Sequence, residues 1–164
     1  GDLMMSDTVF PVCAPDLLGK HPIKNVDDLR GQHLIHDDTM IWSRESQNLG
    51  LPDWSAWLAF ARAHDIDGSR GLRIQSSSSV MVAAVAGLGV ALARSCIAEP
   101  YLTTGQLVQP LAIEYPRRFA YYLVCDPRAL ARLPVAQVHA WLLKEGDATM
   151  EIDRIGSAST EDRE

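Results

Sequence analysis

Apolar residues recur at helical spacing in two stretches of the chain. In the first, Asp53 is a good N-cap, and the apolar positions after it fall at i, i+3, i+4 and i+7: Trp54, Trp57, Leu58 and Ala61. In the second, a proline stands in the first turn, and one face carries Val135, Val138, Trp141 and Leu142. The spacing predicts amphipathic helices over 54–64 and 134–145.

Short apolar and β-branched runs lie between the helical stretches. They predict strands over 8–12, 33–36, 72–75, 89–93, 107–108 and 119–125. Shorter helices are predicted at 26–29, where Asn25 is the N-cap, at 80–86, which ends at Gly87, and at 94–101. Because strands and helices alternate through the middle of the chain, we expect an α/β fold around a mainly parallel sheet.

Four consecutive serines, residues 76–79, separate the strand that ends at Gln75 from the Ala-rich helix after it. The amide N–H groups at a helix start carry a partial positive charge, and serine hydroxyls add donors. A carboxylate or phosphate ligand suits such a site at the carboxyl end of the strands. The alternative is that one serine caps the helix and the others face water. The residues alone leave both interpretations open.

The charge of the chain argues against direct DNA binding by this segment. Its net charge is −6 and its pI is about 5.3, and the densest basic cluster is the pair Arg117-Arg118. DNA affinity comes largely from neutralising phosphates with lysine and arginine. No apolar run approaches the ~20 residues of a membrane-spanning helix, and no signal peptide is visible at the start.

No set of residues in the sequence predicts a reaction, a metal or a cofactor. The cysteines, Cys13, Cys96 and Cys125, are odd in number and form no Cys-x-x-Cys pair, so we expect buried thiols, with a redox sensor as the alternative. No serine lies in a Gly-x-Ser-x-Gly elbow, and no pair of carboxylates stands in an apolar setting. The pair Tyr121-Tyr122 alternates across a predicted strand, which points one ring to the core and the other to a cleft; packing of both rings in the core or an interface is the alternative.

Seven segments, in this order, resemble the effector-binding domain of LysR-type transcriptional regulators, in the branch that includes the glycine-cleavage activator and AmpR. The resemblance covers about residues 3–146 and is carried by FPVCAPDLL, NVDDLRGQHLIHDD, DWSAWLAFARAHDID, IQSSSSVMVAAVAGLGVALA, YLTTGQLVQPL, FAYYLVCDP and VAQVHAWLLKE. It implies an α/β fold similar to the type II periplasmic binding proteins, with one complete lobe and part of a second.

The resemblance also implies how the chain is divided. Residues 1–11 would be the end of the first lobe and a crossover, and residues 12–118 the second lobe. Residues 119–146 would be the return crossover and the C-terminal part of the first lobe. The front of the first lobe and a winged helix-turn-helix would precede residue 1. The polar stretch 147–164 has no amphipathic pattern, and we expect it to be a disordered tail.

By the same resemblance, a small anionic metabolite binds between the lobes and controls transcription. The ligand-binding positions it implies are Ser76, Ser77 and Tyr121. DNA would be contacted only through the N-terminal domain, in a cytoplasmic homodimer or homotetramer without a cofactor. A periplasmic solute-binding protein of a transport system is the alternative on the same fold. An enzyme is the third, although the sequence supplies no nucleophile–base pair.

Overall fold

The computed structural model describes residues 1–40 and 52–146, and its alternating helices and strands confirm the expected α/β class. The five strands are β1 (Asp2–Val12), β2 (Leu34–Asp37), β3 (Leu72–Ile74), β4 (Val90–Arg94) and β5 (Tyr115–Leu123). The α-helices are α1 (Pro15–Lys20), α2 (Trp54–Phe60), α3 (Ser77–Val85), α4 (Ser95–Thr103), α5 (Pro127–Leu130) and α6 (residues 133–146). Two 3-10 helices cover Val26–Gly31 and Asp38–Met40.

The chain forms two compact units, and the larger comprises Thr8–Pro116. Four strands of this unit lie in the order β3–β2–β4–β1. β2 pairs in parallel with both β3 and β4, whereas β1 pairs antiparallel with β4, in the register Val9 opposite Arg94. The parallel strands therefore end at one edge of the sheet, where the 3-10 helix at Asp38, helix α3 and helix α4 follow them.

Neighbouring residues on the strands of the larger unit point to opposite faces, and each face has its own core. Leu34 and Val90 belong to a cluster with the tryptophans of α2, while Ile35 and Ala91, the next residues, pack with α3. Helices thus cover both faces of the sheet, as the near-continuous apolar character of β2 and β4 requires.

The smaller unit contains residues 1–7 and the described residues from 117 onward. Here β5 is the neighbour of β1, and Nε2 of His139 on α6 lies 3.2 Å from Oδ2 of Asp2. Helix α6 confirms the helix expected over 134–145, but its apolar face is largely open. Val138 is 55% exposed and Trp141 is 57% exposed.

Three other elements differ from the sequence-based expectations. Helix α2 ends at Phe60 instead of continuing to His64, and Arg62 follows with a positive φ of 62°. Leu107 and Val108 do not form a strand, since Val108 makes only an isolated bridge to Cys13. Helix α5 was not predicted; Asp126 caps it by accepting a hydrogen bond from the amide of Arg128 at 2.8 Å.

Several sequence-based expectations fall outside the described residues or stay predictions. The loop expected over 39–52 lies mostly outside them, and so does the tail at 147–164, for which disorder stays a prediction. The lobe boundaries at 12 and 118 also stay predictions. In the part of the chain that the structure describes, no helix is both long and apolar enough to cross a bilayer.

Candidate functional site

A cleft of about 450 Å³ opens at the edge of the sheet where β2, β3 and β4 end, within the larger unit. This is the edge at which open α/β sheets bind ligands. Apolar side chains, including Ile35, Trp54 and Met81, form part of its wall. The polar and charged residues that line it are His36, Asp37, Asp38, Asp53, Arg73, Ser77 and Arg94.

Ser76 performs the capping role that the sequence left open for one serine of the run. Its hydroxyl oxygen accepts a hydrogen bond from the amide of Ser79 at 3.4 Å, and its extended backbone marks it as the N-cap of α3. Ser76 does not line the cleft. In this structure it holds the first turn of α3 in place, and a role in ligand contact stays a prediction.

Ser77 lines the cleft, and its hydroxyl donates a hydrogen bond to Oδ2 of Asp37. The other carboxylate oxygen of Asp37 accepts from the amide of Thr39 at 3.0 Å and from the hydroxyl of the same residue. The bond joins the end of β2 to the start of α3. It also places a carboxylate at the helix terminus that favours negative charge.

A second carboxylate stands next to the first. Asp38 is only 15% exposed, and its Oδ2 forms an ion pair with Nε of Arg73 at 2.9 Å. Its Oδ1 is buried and has no hydrogen-bond partner among the described residues. A buried acceptor in this state is costly, because it has lost its water without gaining a donor.

Hydrogen bonds to the backbone fix two further side chains around the cleft. Nε1 of Trp54 donates to the carbonyl oxygen of Ile35 at 3.0 Å, which holds the start of α2 against β2. A ring nitrogen of the buried His36, Nε2, lies 2.8 Å from the carbonyl oxygen of Arg70. The wall of the cleft is therefore held in place by the sheet and its first turns, as a preformed ligand site requires.

Tyr121, the third position implied by the resemblance, lies on β5 in the smaller unit. Tyr121 is 38% exposed and Tyr122 is 61% exposed, so neither of the two is a core residue. The structure thus brings Ser76 and Ser77 to the start of one helix. The role of Tyr121 stays a prediction.

Sequence reasoning missed Asp37, Asp38 and Arg73 as parts of the site. Asp37 is the last residue of β2, Asp38 follows it, and Arg73 lies on β3, so the parallel pairing of these strands brings the three residues to the same edge. The signal was present in the sequence: polar residues directly after a buried strand face the ligand edge of an α/β sheet.

The described residues contain no group of three or more histidine, cysteine or acidic side chains arranged to hold a metal ion. None of the three cysteines forms a disulfide bond in the described part of the chain. Cys13 is fully buried, and burial raises the pKa of its thiol to about 11, which suppresses the reactive thiolate.

Comparison with known proteins gives a family match over most of the chain. The model of the LysR substrate binding domain matches residues 2–147. The glycine cleavage system transcriptional activator of Escherichia coli K12 is 30% identical over 150 residues, which cover 90% of this chain and 45% of that protein. The HTH-type transcriptional regulator DsdC of the same strain is 32% identical over 108 residues, covering 65% of this chain and 33% of DsdC.

Solved structures agree on the fold. The effector domain of the transcriptional regulator AmpR of Pseudomonas aeruginosa superposes with a TM-score of 0.65 at 19% identity, over 91% of this chain and 66% of that chain. This confirms the type II periplasmic-binding-protein-like fold. The chain spans about half the length of the curated relatives it matches, or less. The relatives are transcriptional regulators, which does not favour the transport alternative.

Proposed function

This chain belongs to the LysR substrate-binding domain family, and we propose that the cleft at the start of α3 is where it senses its effector. The observation that carries the proposal is the position of Ser77. It is a predicted ligand residue, it lines the cleft, and it is hydrogen-bonded to Asp37 across 40 positions of sequence. A ligand that engages this bond acts on a strand and a helix of the larger unit at once.

The effector acts by binding two arrangements of the full-length regulator with different affinities. Only that difference can shift the equilibrium between them, and hence the DNA-binding domain that the family resemblance puts ahead of this segment. DNA contact is assigned to that domain, because the segment itself carries a charge of −6. The protein works in the cytoplasm as a homodimer or homotetramer. It catalyses no reaction, and the family resemblance makes Ser76 and Tyr121 further candidates for ligand contact.

The test measures ligand binding to the 164-residue chain and its variants. A library of small metabolites, including amino acids, dicarboxylates, sugar phosphates and nucleobases, is screened by thermal shift, and hits are measured by calorimetry. We expect Ser77→Ala to lower the affinity for the best ligand by about 3–10-fold, which is the range expected for the loss of one hydrogen bond. Ser78→Ala is the matched control, since Ser78 is an exposed serine of the same run.

Two results would overturn the proposal. One is a ligand whose affinity is the same for the wild type, Ser77→Ala and Ser78→Ala. The other is the absence of binding by every compound in the library, measured on protein that circular dichroism shows to be folded. A full-length regulator carrying Ser77→Ala should also need a higher effector concentration for half-maximal reporter expression.

A further inference from the structure

We propose that the cleft selects a small zwitterion, an α-amino acid or a close analogue, whose ammonium group faces Asp37 and whose carboxylate faces the arginines. The inference rests on the proposed function, because it names the ligand class of the same cleft. It differs from the sequence-based expectation of an anion, which took the serine hydroxyls as free donors.

The hydroxyl proton of Ser77 is already used. Because Ser77 donates to Asp37, its oxygen presents only lone pairs to a ligand. The carboxylate of Asp37 is acceptor-only as well, and it takes its other hydrogen bonds from Thr39. The strand end and the helix start therefore offer acceptors side by side. A ligand group that meets them must donate hydrogen bonds, and an ammonium group brings three donors.

The charge of the described lining disfavours a simple anion. Among the described residues that line the cleft, Asp37, Asp38 and Asp53 supply three carboxylates, against the two guanidinium groups of Arg73 and Arg94. A ligand with only negative charge would lie in a site whose own acids outnumber its bases. A ligand that carries one charge of each sign matches both sets.

Two arginines supply the positive charge that the carboxylate of the ligand requires. Arg73 is held by Asp38 at 2.9 Å and remains half exposed, and Arg94 ends β4 at the cleft. Ser76 caps the amide of Ser79, and the amides before Ser79 in the first turn of α3 are donors that no residue within the helix can satisfy. A guanidinium group binds a planar carboxylate with paired hydrogen bonds. The cleft volume of about 450 Å³ admits a molecule of this size.

The experiment uses matched ligands on the wild-type chain. The twenty protein amino acids are tested by isothermal titration calorimetry, and the tightest binder is compared with its N-acetyl derivative and its C-terminal amide. The first derivative lacks the ammonium and the second lacks the carboxylate. We expect each derivative to bind about 10-fold or more weakly, since a charge-assisted hydrogen bond is lost in each.

Asp37→Asn tests the ammonium contact by a change of charge at constant size. We expect the amino acid to bind about 10–100-fold more weakly to this variant, as for loss of a hydrogen bond to a charged group. The N-acetyl derivative should bind the variant and the wild type alike. Asp16→Asn, an exposed aspartate on α1, removes the same charge outside the cleft and should change neither affinity.

The outcomes separate this inference from the proposed function. If no amino acid binds but a dicarboxylate or sugar phosphate binds in a Ser77-dependent way, the zwitterion is wrong and the sensing cleft stands. If the C-terminal amide binds as tightly as the amino acid, the ligand class is a cation and the inference fails. If nothing binds folded protein, both proposals fail. The derivative series uses wild-type protein, so a variant that misfolds does not remove the test.

Discussion

Nε1 of Trp54 donates a hydrogen bond of 3.0 Å to the carbonyl oxygen of Ile35, and this bond ties the start of α2 to the middle of β2. Trp57 packs against Trp54 with ring centroids 5.7 Å apart at an angle of 77°. Both indoles are buried. Nε1 of Trp57, however, has no hydrogen-bond partner among the described residues. Two neighbouring tryptophans therefore differ in one hydrogen bond.

We predict that Trp54→Phe destabilises the chain more than Trp57→Phe does. Both changes remove ring atoms from the core, and only the first breaks a hydrogen bond. The difference in the free energy of unfolding should be about 0.5–1.5 kcal/mol. Urea unfolding followed by far-UV circular dichroism measures it. Equal losses for the two variants would contradict the prediction.

Two glycines near the end of α3 should differ in their tolerance of a methyl group. Gly87 has a φ of +73° in a Schellman motif, in which its amide and that of Leu88 bond to Ala84 and Ala83. A Cβ there meets nothing within 4 Å, whereas one on Gly89 would lie 2.1 Å from the carbonyl oxygen of His33.

Gly87→Ala should therefore lower the free energy of unfolding by about 1–2 kcal/mol, because a residue with a Cβ is strained in the left-handed conformation. Gly89→Ala should lower it further, because β2 and the turn must move apart. Thermal denaturation of both variants gives the order of their stabilities. A melting temperature for Gly89→Ala at or above that of Gly87→Ala would show that the turn relaxes freely.

Asp53 caps α2 through Oδ1, which accepts a hydrogen bond from the amide of Ala56 at 2.8 Å. Asp53→Ala removes this acceptor and should cost about 0.5–2 kcal/mol. Asp53→Asn keeps an oxygen in place and should retain most of the stability. Chemical denaturation of both variants without ligand makes the comparison, and equal losses would mean that the charge, not the cap, matters.

The thiol of Cys13 should make the stability fall at alkaline pH. Burial raises its pKa from the model-compound value of 9.0 to about 11 in the folded chain. Below pH 9 the thiol is protonated in both states and has no effect. Between about pH 9 and 11 the unfolded chain loses this proton more readily, so the folded state loses stability, by up to about 2–3 kcal/mol.

Comparison of the wild type with Cys13→Ala isolates the contribution of the Cys13 thiol to the pH dependence of stability. The free energies of unfolding of the wild type and of Cys13→Ala are measured from pH 8 to 11, and the gap between them should narrow or reverse as the pH rises. A gap that stays constant would exclude the thiol as the cause. In the native state, Cys13 should also react with a thiol reagent more slowly than Cys96 and Cys125, which are partly exposed.

The elements that sequence reasoning identified are those with a local cause. The helix beginning at Trp54 has an N-cap and an apolar face, and the helix before Gly87 has a glycine stop. The predicted end of α2 was wrong because Arg62 takes a positive φ, which no local sequence pattern indicates. The exposure of Trp141 was also missed, since periodicity shows that a face is apolar and not what covers it.

By itself, the sequence determined the α/β class, the family and the presence of a helix next to the serine run. These depend on residue types and on spacings within a few turns of chain. Only the tertiary structure decided what the serines do. The hydroxyl oxygen of Ser76 accepts the hydrogen bond that caps α3, and the hydroxyl of Ser77 donates its proton to Asp37. The parallel pairing of β2 and β3 brings Asp37 beside Ser77. A hydrogen bond between residues far apart in the chain leaves no trace in the local pattern, yet it sets which ligand groups the cleft can accept.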